Sequence, residues 1–500
     1  MFAYRHCPNQ EGVFLMSSAA ISSAISYARE NQKRFLEELK DLLRIPSVST
    51  TEEHKDDVRK AAEVVAADLK RIGFENVEVI PTQGHPLVYA DWLHAAGKPT
   101  ALCYAHFDVQ PAEPLDEWKS PPFVDKDACP IKGEEAQAAK QNWTEPAQRN
   151  DNIYARGAVD DKGQLWMQMK AYESLFKTGG GKLPINVRVL FEGEEEVGGE
   201  SIEEFVKANA KSGKLKCDFA LVTDTELFAP DLPTLCVGLR GLVYTEIEAQ
   251  GAKTDLHSGV YGGAAPNAIF GLIEIISKLK DDNGKVLIPG FYDAVQKPTD
   301  DELKAWEHLP FNEEDYRKAE VGSDVLTGEP GYSVLYRTWA RPTLEVHGIL
   351  GGFQAPGAKT VIPARASAKV SMRLVPNQDA DDIFKKYSDY VKKITPKGIK
   401  INIKIHSKGP ACVVNTDNPY ARAAVEAMHE IFKKDTVYIR SGGSIPIVTQ
   451  FDKDLNVPSI MMGMGLPDDN LHAPNEKFHI PNFYRGIESI IRFFQILGGQ

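Results

Sequence analysis

"INVRVLFEGEEEVGGESIEEFVKANAKSG", residues 185–213, contains the junction on which the fold turns. "INVRVL" alternates and is rich in β-branched residues, so it predicts a strand. "SIEEFVKANAKSG", residues 201–213, has helical spacing and opens with Ser-x-x-Glu, the pattern of a capping box. Glu194, Glu195 and Glu196 therefore fall in the loop between a strand and a helix, which in an open α/β sheet is where ligands bind. Neighbouring carboxylates in a dry site raise one another's pKa unless a cation sits among them. Alone, the triplet reads as a solvated acidic turn. At a strand end it predicts a cation site.

Composition sets the bounds. A chain of 500 residues with 42% hydrophobic content buries a large core and is expected to divide into more than one domain. Its formal charge of -12 argues against a nucleic-acid partner, which needs a basic face. No apolar run approaches the roughly 18 residues of a membrane-spanning helix. The six cysteines form no Cys-x-x-Cys pair and no disulfide framework, which suits a reducing cytoplasm. "GVFLMSSAAISSAISYA", residues 12–28, is serine-rich and runs into an amphipathic helix, so it is read as a cytosolic start, with Met16 as an alternative initiator, and not as a signal peptide. Outside secretion, the sequon at Asn142 carries no meaning.

Helix-like and strand-like segments alternate from about residue 24 to residue 240, predicting an α/β catalytic domain on a mainly parallel sheet, residues 17–240. Residues 125–151 are polar and weakly periodic, and are read as a long surface loop. After "GLRG" (238–241) the pattern changes: "LVYTEIEAQG" alternates like an exposed-edge strand, "NAIFGLIEIISKLK" is an apolar helix, and "ASAKVSMRLVP" and "IKINIKIHS" are alternating strands. Residues 241–410 are thus expected to form an inserted α+β module. Residues 411–500 return to the catalytic domain.

Other strand ends test the cation site. "ALCYAHFDVQ" finishes in His106-x-Asp108, "IYARGAVDDKG" in Asp160 and Asp161, and "CDFALVTDTE" runs to Asp224; "GLPDDNLHAP" supplies His472. Singly these are weak, since an aspartate pair often caps a helix and a lone histidine is more often surface or core. Together, five strand ends carry the imidazoles and carboxylates that suit zinc or manganese.

In order and spacing, "HFDVQP", "ARGAVDDKG", "EGEEEVGG", "GLRG", "DLHSGVYGG", "GAKTVIP", "MRLVPN", "SGGSIP" and "HAPNEK" resemble the M20 family of metallopeptidases, in the branch of cytosolic nonspecific dipeptidases and carnosinases. The resemblance runs from about residue 30 to the C-terminus, omitting 125–151, and gives the inserted module at 241–410 the part of a lid or dimerisation domain. It implies two divalent ions per chain, Zn²⁺ or Mn²⁺, with Glu196 and His472 on one, His106 and Asp224 on the other, and Asp160 bridging. It further implies Glu195 as general base and Asp108 as the carboxylate that orients His106. Water between two such ions is acidified; Glu195 takes its proton, the hydroxide attacks the peptide carbonyl, and Glu195 passes the proton to the leaving amine. For substrate contacts the resemblance implies His257 as oxyanion donor, reaching the partner's site in a homodimer, Arg373 as carboxylate anchor, and Gly442, Ser444 and Thr360 as further contacts.

One departure bears on specificity. Animal dipeptidases of this branch tend to carry Glu before the Gly-Gly of "GGSIP", where this chain has Ser441. An acid there would suit a free substrate amine. The expected activity is hydrolysis of dipeptides or short peptides, with N-acyl amino acid deacylation or carboxypeptidase action as alternatives. A serine hydrolase is disfavoured because no Gly-x-Ser-x-Gly occurs, and a zincin because "MHEIFK" lacks the second histidine.

Overall fold

The computed structural model describes residues 18–123 and 146–499. The chain forms two compact units. One runs to Val237 and adds Val414–Ile439 and the chain from Ile447; the other comprises Gly238–Val413 and Arg440–Pro446.

The first unit is built on one large mixed sheet in the order Glu75–Ile80, Leu87–Trp92, Asn186–Glu192, Thr100–His106, Phe219–Val222, Ser459–Met461, Thr234–Leu239. The four strands from Asn186–Glu192 to Ser459–Met461 are parallel. Those outside them pair antiparallel. The expected α/β architecture with a parallel centre is therefore found, with antiparallel flanks that the alternation of helices and strands did not disclose. The sequence "TALCYAH" is buried almost throughout because helices or loops cover both faces of a central strand, whereas the first strand is exposed along much of its length. On one face Cys103, Ala105, Val189, Phe191 and Leu221 share a core with helices Lys55–Ile72, Lys162–Thr178, Pro419–Phe432 and Ile480–Gly498. At about 1.5–3 kcal/mol for each large apolar side chain, this core fixes the register of the strands.

Two local expectations are corrected. The helix after the three glutamates starts at Glu200, and its N-cap is Gly199 at φ 64°, with no side-chain cap; Ser201 lies inside the first turn and forms no capping box. Gly199 is needed there because φ is left-handed and a Cβ would meet Glu192 Oε2 at 3.1 Å. Within 125–151, Ala147–Arg149 forms a strand paired with Asn152–Tyr154; residues 125–145 lie outside the described residues.

The second unit holds an antiparallel four-stranded sheet, ordered Thr343–Gly351, Arg365–Leu374, Gly241–Gln250, Lys400–Gly409. Val243, Ile247, Val370 and Met372 pack on Leu272 and Ile275 of helix Ala268–Ser277 and Tyr387 of helix Ala380–Ile394. Gly241–Gln250, read as an exposed edge, is an inner strand. Its alternation records one face against helices and says nothing about position in the sheet.

Candidate active site

Register assembles the site in the first unit. His106 pairs beside Glu192, and Tyr104 beside Val222, so the loops after three neighbouring parallel strands open at one edge of the sheet. Asp224 follows Val222 by two residues, and Glu195 and Glu196 stand in the 3₁₀ turn Glu195–Val197. Asp160 precedes helix Lys162–Thr178, and His472 lies in the loop beyond Ser459–Met461. His472 adopts φ 58°, a conformation a non-glycine residue keeps only when its surroundings fix it.

These residues form two ligand groups sharing one aspartate. His106, Asp160 and Asp224 make one; Asp160, Glu196 and His472 make the other, and within each the candidate atoms lie within 4.8 Å of one another. Asp160 Oδ1 is 3.1 Å from His106 Nε2, while Oδ2 is 3.0 Å from His472 Nε2. Glu196 Oε2 lies 3.3 Å from His472 Nε2, and Asp224 Oδ2 4.0 Å from His106 Nε2. One imidazole with two carboxylates on each side fits zinc or manganese.

A surrounding layer of hydrogen bonds aims these groups. His106 Nδ1 faces the Asp108 carbonyl oxygen at 3.1 Å and Asp108 Oδ1 at 3.3 Å, leaving Nε2 for the site. The Asp108 carboxylate also accepts from the backbone N–H groups of Glu195 (3.2 Å) and Glu196 (3.1 Å), so it anchors the glutamate turn as well as the histidine. Three groups that the sequence reading left without a role take part. Gln110 Nε2 donates to Glu196 Oε2 at 2.7 Å, and Asp161 Oδ2 accepts from the His106 N–H at 3.1 Å. Glu476, fully buried, accepts from Arg156 Nη1 (2.9 Å) and the N–H groups of Gly157 (2.8 Å), Val159 (3.0 Å) and Asp160 (3.1 Å). It ties the segment carrying Asp160 to the one carrying His472. The Glu194 carboxyl is turned inward and fills the space beside Gly84, where a Cβ would meet Oε1 at 2.1 Å.

The electrostatics are those of a site built for cations. Burial first, then neighbouring acids, hold Glu195, Glu196 and Asp224 well above the ordinary carboxylate range. Burial opposes charge on His106, yet its hydrogen bonds to Asp108 and Asp160 keep its pKa well above the ordinary value. Asp160 is shifted the other way: burial raises it, but His106 and His472 pull it below the carboxylate range.

The remaining candidates lie in the second unit, in two groups. His257 and Thr360 sit together where Leu256–His257 pairs with Val361–Ile362; both are exposed, and His257 Nδ1 accepts from the Gly259 N–H at 3.0 Å. Arg373, Gly442 and Ser444 form the other group. Arg373 Nη1 donates to Ser444 Oγ at 2.9 Å, Ser444 Oγ donates to the Arg240 carbonyl oxygen, and Arg240 Nε donates to the Gly442 carbonyl oxygen at 3.2 Å. The Ser444 hydroxyl proton is thus committed within the protein. Arg240, the arginine of "GLRG", joins the group without having been singled out.

Residues 102–495 match peptidase family M20/M25/M40. The chain belongs to this family. It is 32% identical over 489 residues to the Cys-Gly metallodipeptidase of Candida albicans, covering 94% of this chain and 96% of that one. Its fold matches human carnosine dipeptidase 1 with a TM-score of 0.83 at 26% identity, covering 96% of this chain and 99% of that one. It also matches the M20 metallo-carboxypeptidase Sso-CP2 of Sulfolobus solfataricus with a TM-score of 0.80 at 30% identity, covering 93% and 99%. This M20 chain is accordingly a metallopeptidase that uses divalent metal ions.

Proposed function

We propose that the protein is a dipeptidase whose site takes two divalent ions, Zn²⁺ or Mn²⁺, bridged by Asp160. The observation that carries this reading is the division of one carboxylate, with Oδ1 toward His106 and Oδ2 toward His472. His106 and Asp224 would hold one ion, Glu196 and His472 the other. Bound there, such ions would supply an acidified water and polarisation of the substrate carbonyl. Glu195, half-buried and held above the ordinary range, would accept the water proton and return it to the leaving amine. Asp108 fixes the His106 tautomer and the position of the Glu195 backbone. Arg373 anchors the substrate carboxylate, with Ser444 bracing its fork, Gly442 shaping the adjacent loop and Thr360 contributing beside His257.

We infer a homodimer in which His257 supplies the oxyanion donor of the partner's site. In support, Thr343–Gly351 is an outer strand of its sheet with Ile349 and Leu350 exposed, and Phe270 is 72% exposed on the neighbouring helix. A cytoplasmic setting is supported by Cys103 and Cys217, both without disulfides. Among the described residues no helix is long and apolar enough to cross a membrane.

A second reading, carboxypeptidase or N-acyl amino acid deacylase, is favoured by Ser441. Its hydroxyl accepts from the Gly443 N–H at 3.1 Å and offers no charge to a free amine. A panel of dipeptides, tripeptides and N-acyl amino acids on metal-reconstituted protein separates the readings. Dipeptides turn over fastest in the first, and faster turnover of acylated amino acids or longer peptides selects the second.

A further inference from the structure

The second unit holds arginines withdrawn from solvent in two ways. Arg341 and Arg440 each meet a carboxylate, Glu329 at 2.6 Å and Glu302 at 2.5 Å. Arg240 and Arg373 meet none among the described residues. Arg240 gives Nε to a carbonyl oxygen and Arg373 gives Nη1 to a hydroxyl, both neutral acceptors, and the two residues are joined through the same Ser444 Oγ. The acid closest in influence to Arg240 is Glu345, whose carboxylate is already engaged by Lys280 Nζ at 3.0 Å. Burial first, and then the charge of Arg373, pull Arg240 down to about 10. Two guanidiniums that repel one another out of bulk water are an arrangement that an anion stabilises.

The loop at 442–444 explains how the pair is kept. Gly442 leaves room for the Arg240 fork: a Cβ there would meet Arg240 Nη2 at 3.0 Å. The Arg240 N–H donates to the Gly443 carbonyl oxygen at 2.9 Å, so loop and arginine hold each other on both sides. Arg240 Nη1 and Nη2 and the second Nη of Arg373 keep donor capacity for a ligand.

We propose that Arg240 is the second cation of the substrate-anion subsite, so that the C-terminal carboxylate is bound between two guanidiniums and substrates whose C-terminal residue carries an additional carboxylate are preferred. The proposal rests on the reading of Arg373 as carboxylate anchor. Two fixed positive charges facing one carboxylate leave a charge uncompensated, and a C-terminal aspartate or glutamate completes the balance. Its neutral amide isostere does not.

The test compares dipeptides ending in glutamate with those ending in glutamine, and each with its C-terminal amide, on the metal-loaded dimer or monomer as it purifies. The wild type is expected to favour the glutamate peptide about tenfold in kcat/KM, mainly through KM. Arg240→Gln is expected to abolish that preference and raise KM for free-carboxylate peptides, while Arg240→Lys, which keeps the charge but loses the bond to Gly442, retains the preference. Equal use of glutamate and glutamine peptides by the wild type, or a preference unchanged in Arg240→Gln, overturns the proposal. If instead Arg373→Gln leaves KM unchanged and C-terminal amides are cleaved as well as free acids, the carboxylate-anchor reading itself fails, and the Arg240 proposal falls with it.

Discussion

Replacing Glu476 with glutamine removes a charge and no volume, and its effect follows from four hydrogen bonds. Oε2 accepts from Arg156 Nη1 and the Gly157 N–H, and Oε1 accepts from the N–H groups of Val159 and Asp160. An amide keeps one oxygen and turns an NH₂ toward two donors, so two of the four bonds are lost whichever way it is oriented. At about 1.5 kcal/mol for each bond to a charged group, the loss is about 3 kcal/mol, shared between the fold and the placing of Asp160. The share reaching Asp160 is expected to weaken metal binding 10- to 100-fold, the usual effect of losing an outer partner of a ligand, or about 1.4–2.8 kcal/mol. Competition against a chromophoric chelator near neutral pH measures this, with thermal unfolding of the metal-free protein as the control for folding. A folded Glu476→Gln protein with wild-type metal affinity would refute the reasoning that this carboxylate sets the position of Asp160.

Glu195→Gln should retain its metal ions and lose ~10²- to 10⁴-fold in turnover, read by paired metal analysis and single-substrate kinetics; near-normal turnover would remove Glu195 from the proton path. The metal-free protein should become less stable as pH rises from about 4.3, the ordinary glutamate value, toward about 8. Glu192 is pushed up to about 8 and Glu226 to about 7, in both cases chiefly by burial, so each folds best protonated, and its contribution declines as pH passes from the unfolded to the folded pKa. Because the candidate ligand carboxyls of Glu196 and Asp224 are raised in the same direction, the stabilisation gained on adding metal should grow over the same window, and unfolding scans at several pH values with and without Zn²⁺ check both signs. Mixing Glu195→Gln chains with His257→Ala chains should restore activity if His257 serves the partner, because one site of each heterodimer then has both groups; heterodimers that form and stay inactive would assign His257 to its own subunit or to structure.

What the sequence disclosed, and what it did not, follows from how far each signal travels along the chain. Four of the five candidate ligands were legible because parallel strands in register deliver the loops that follow them to one edge: His106 beside Glu192, Asp224 just past Val222, and Glu196 and His472 in the loops after two further strands; Asp160 comes six residues after the short antiparallel strand Asn152–Tyr154, outside that sheet. Glu476 was not legible, because its partners at 156–160 are more than three hundred residues away in the chain and a buried carboxylate looks like any surface glutamate until its donors are seen. Gln110 and Arg240 escaped for the same reason, although both adjoin or lie within quoted motifs. The capping box failed at Ser201 because two glycines with positive φ turned the chain one residue earlier. The inner strand Gly241–Gln250 was misread as an edge because alternation reports that one face is buried and is silent on backbone pairing.

Metal content measured together with activity tests the central claim most directly. Protein stripped of metal and titrated with Zn²⁺ or Mn²⁺ should be inactive when empty and reach full peptidase activity at two ions per chain, and Asp160→Asn should prevent the pair from filling. Full activity with a single ion per chain, or two ions bound undiminished after Asp160→Asn, would contradict a centre bridged by Asp160.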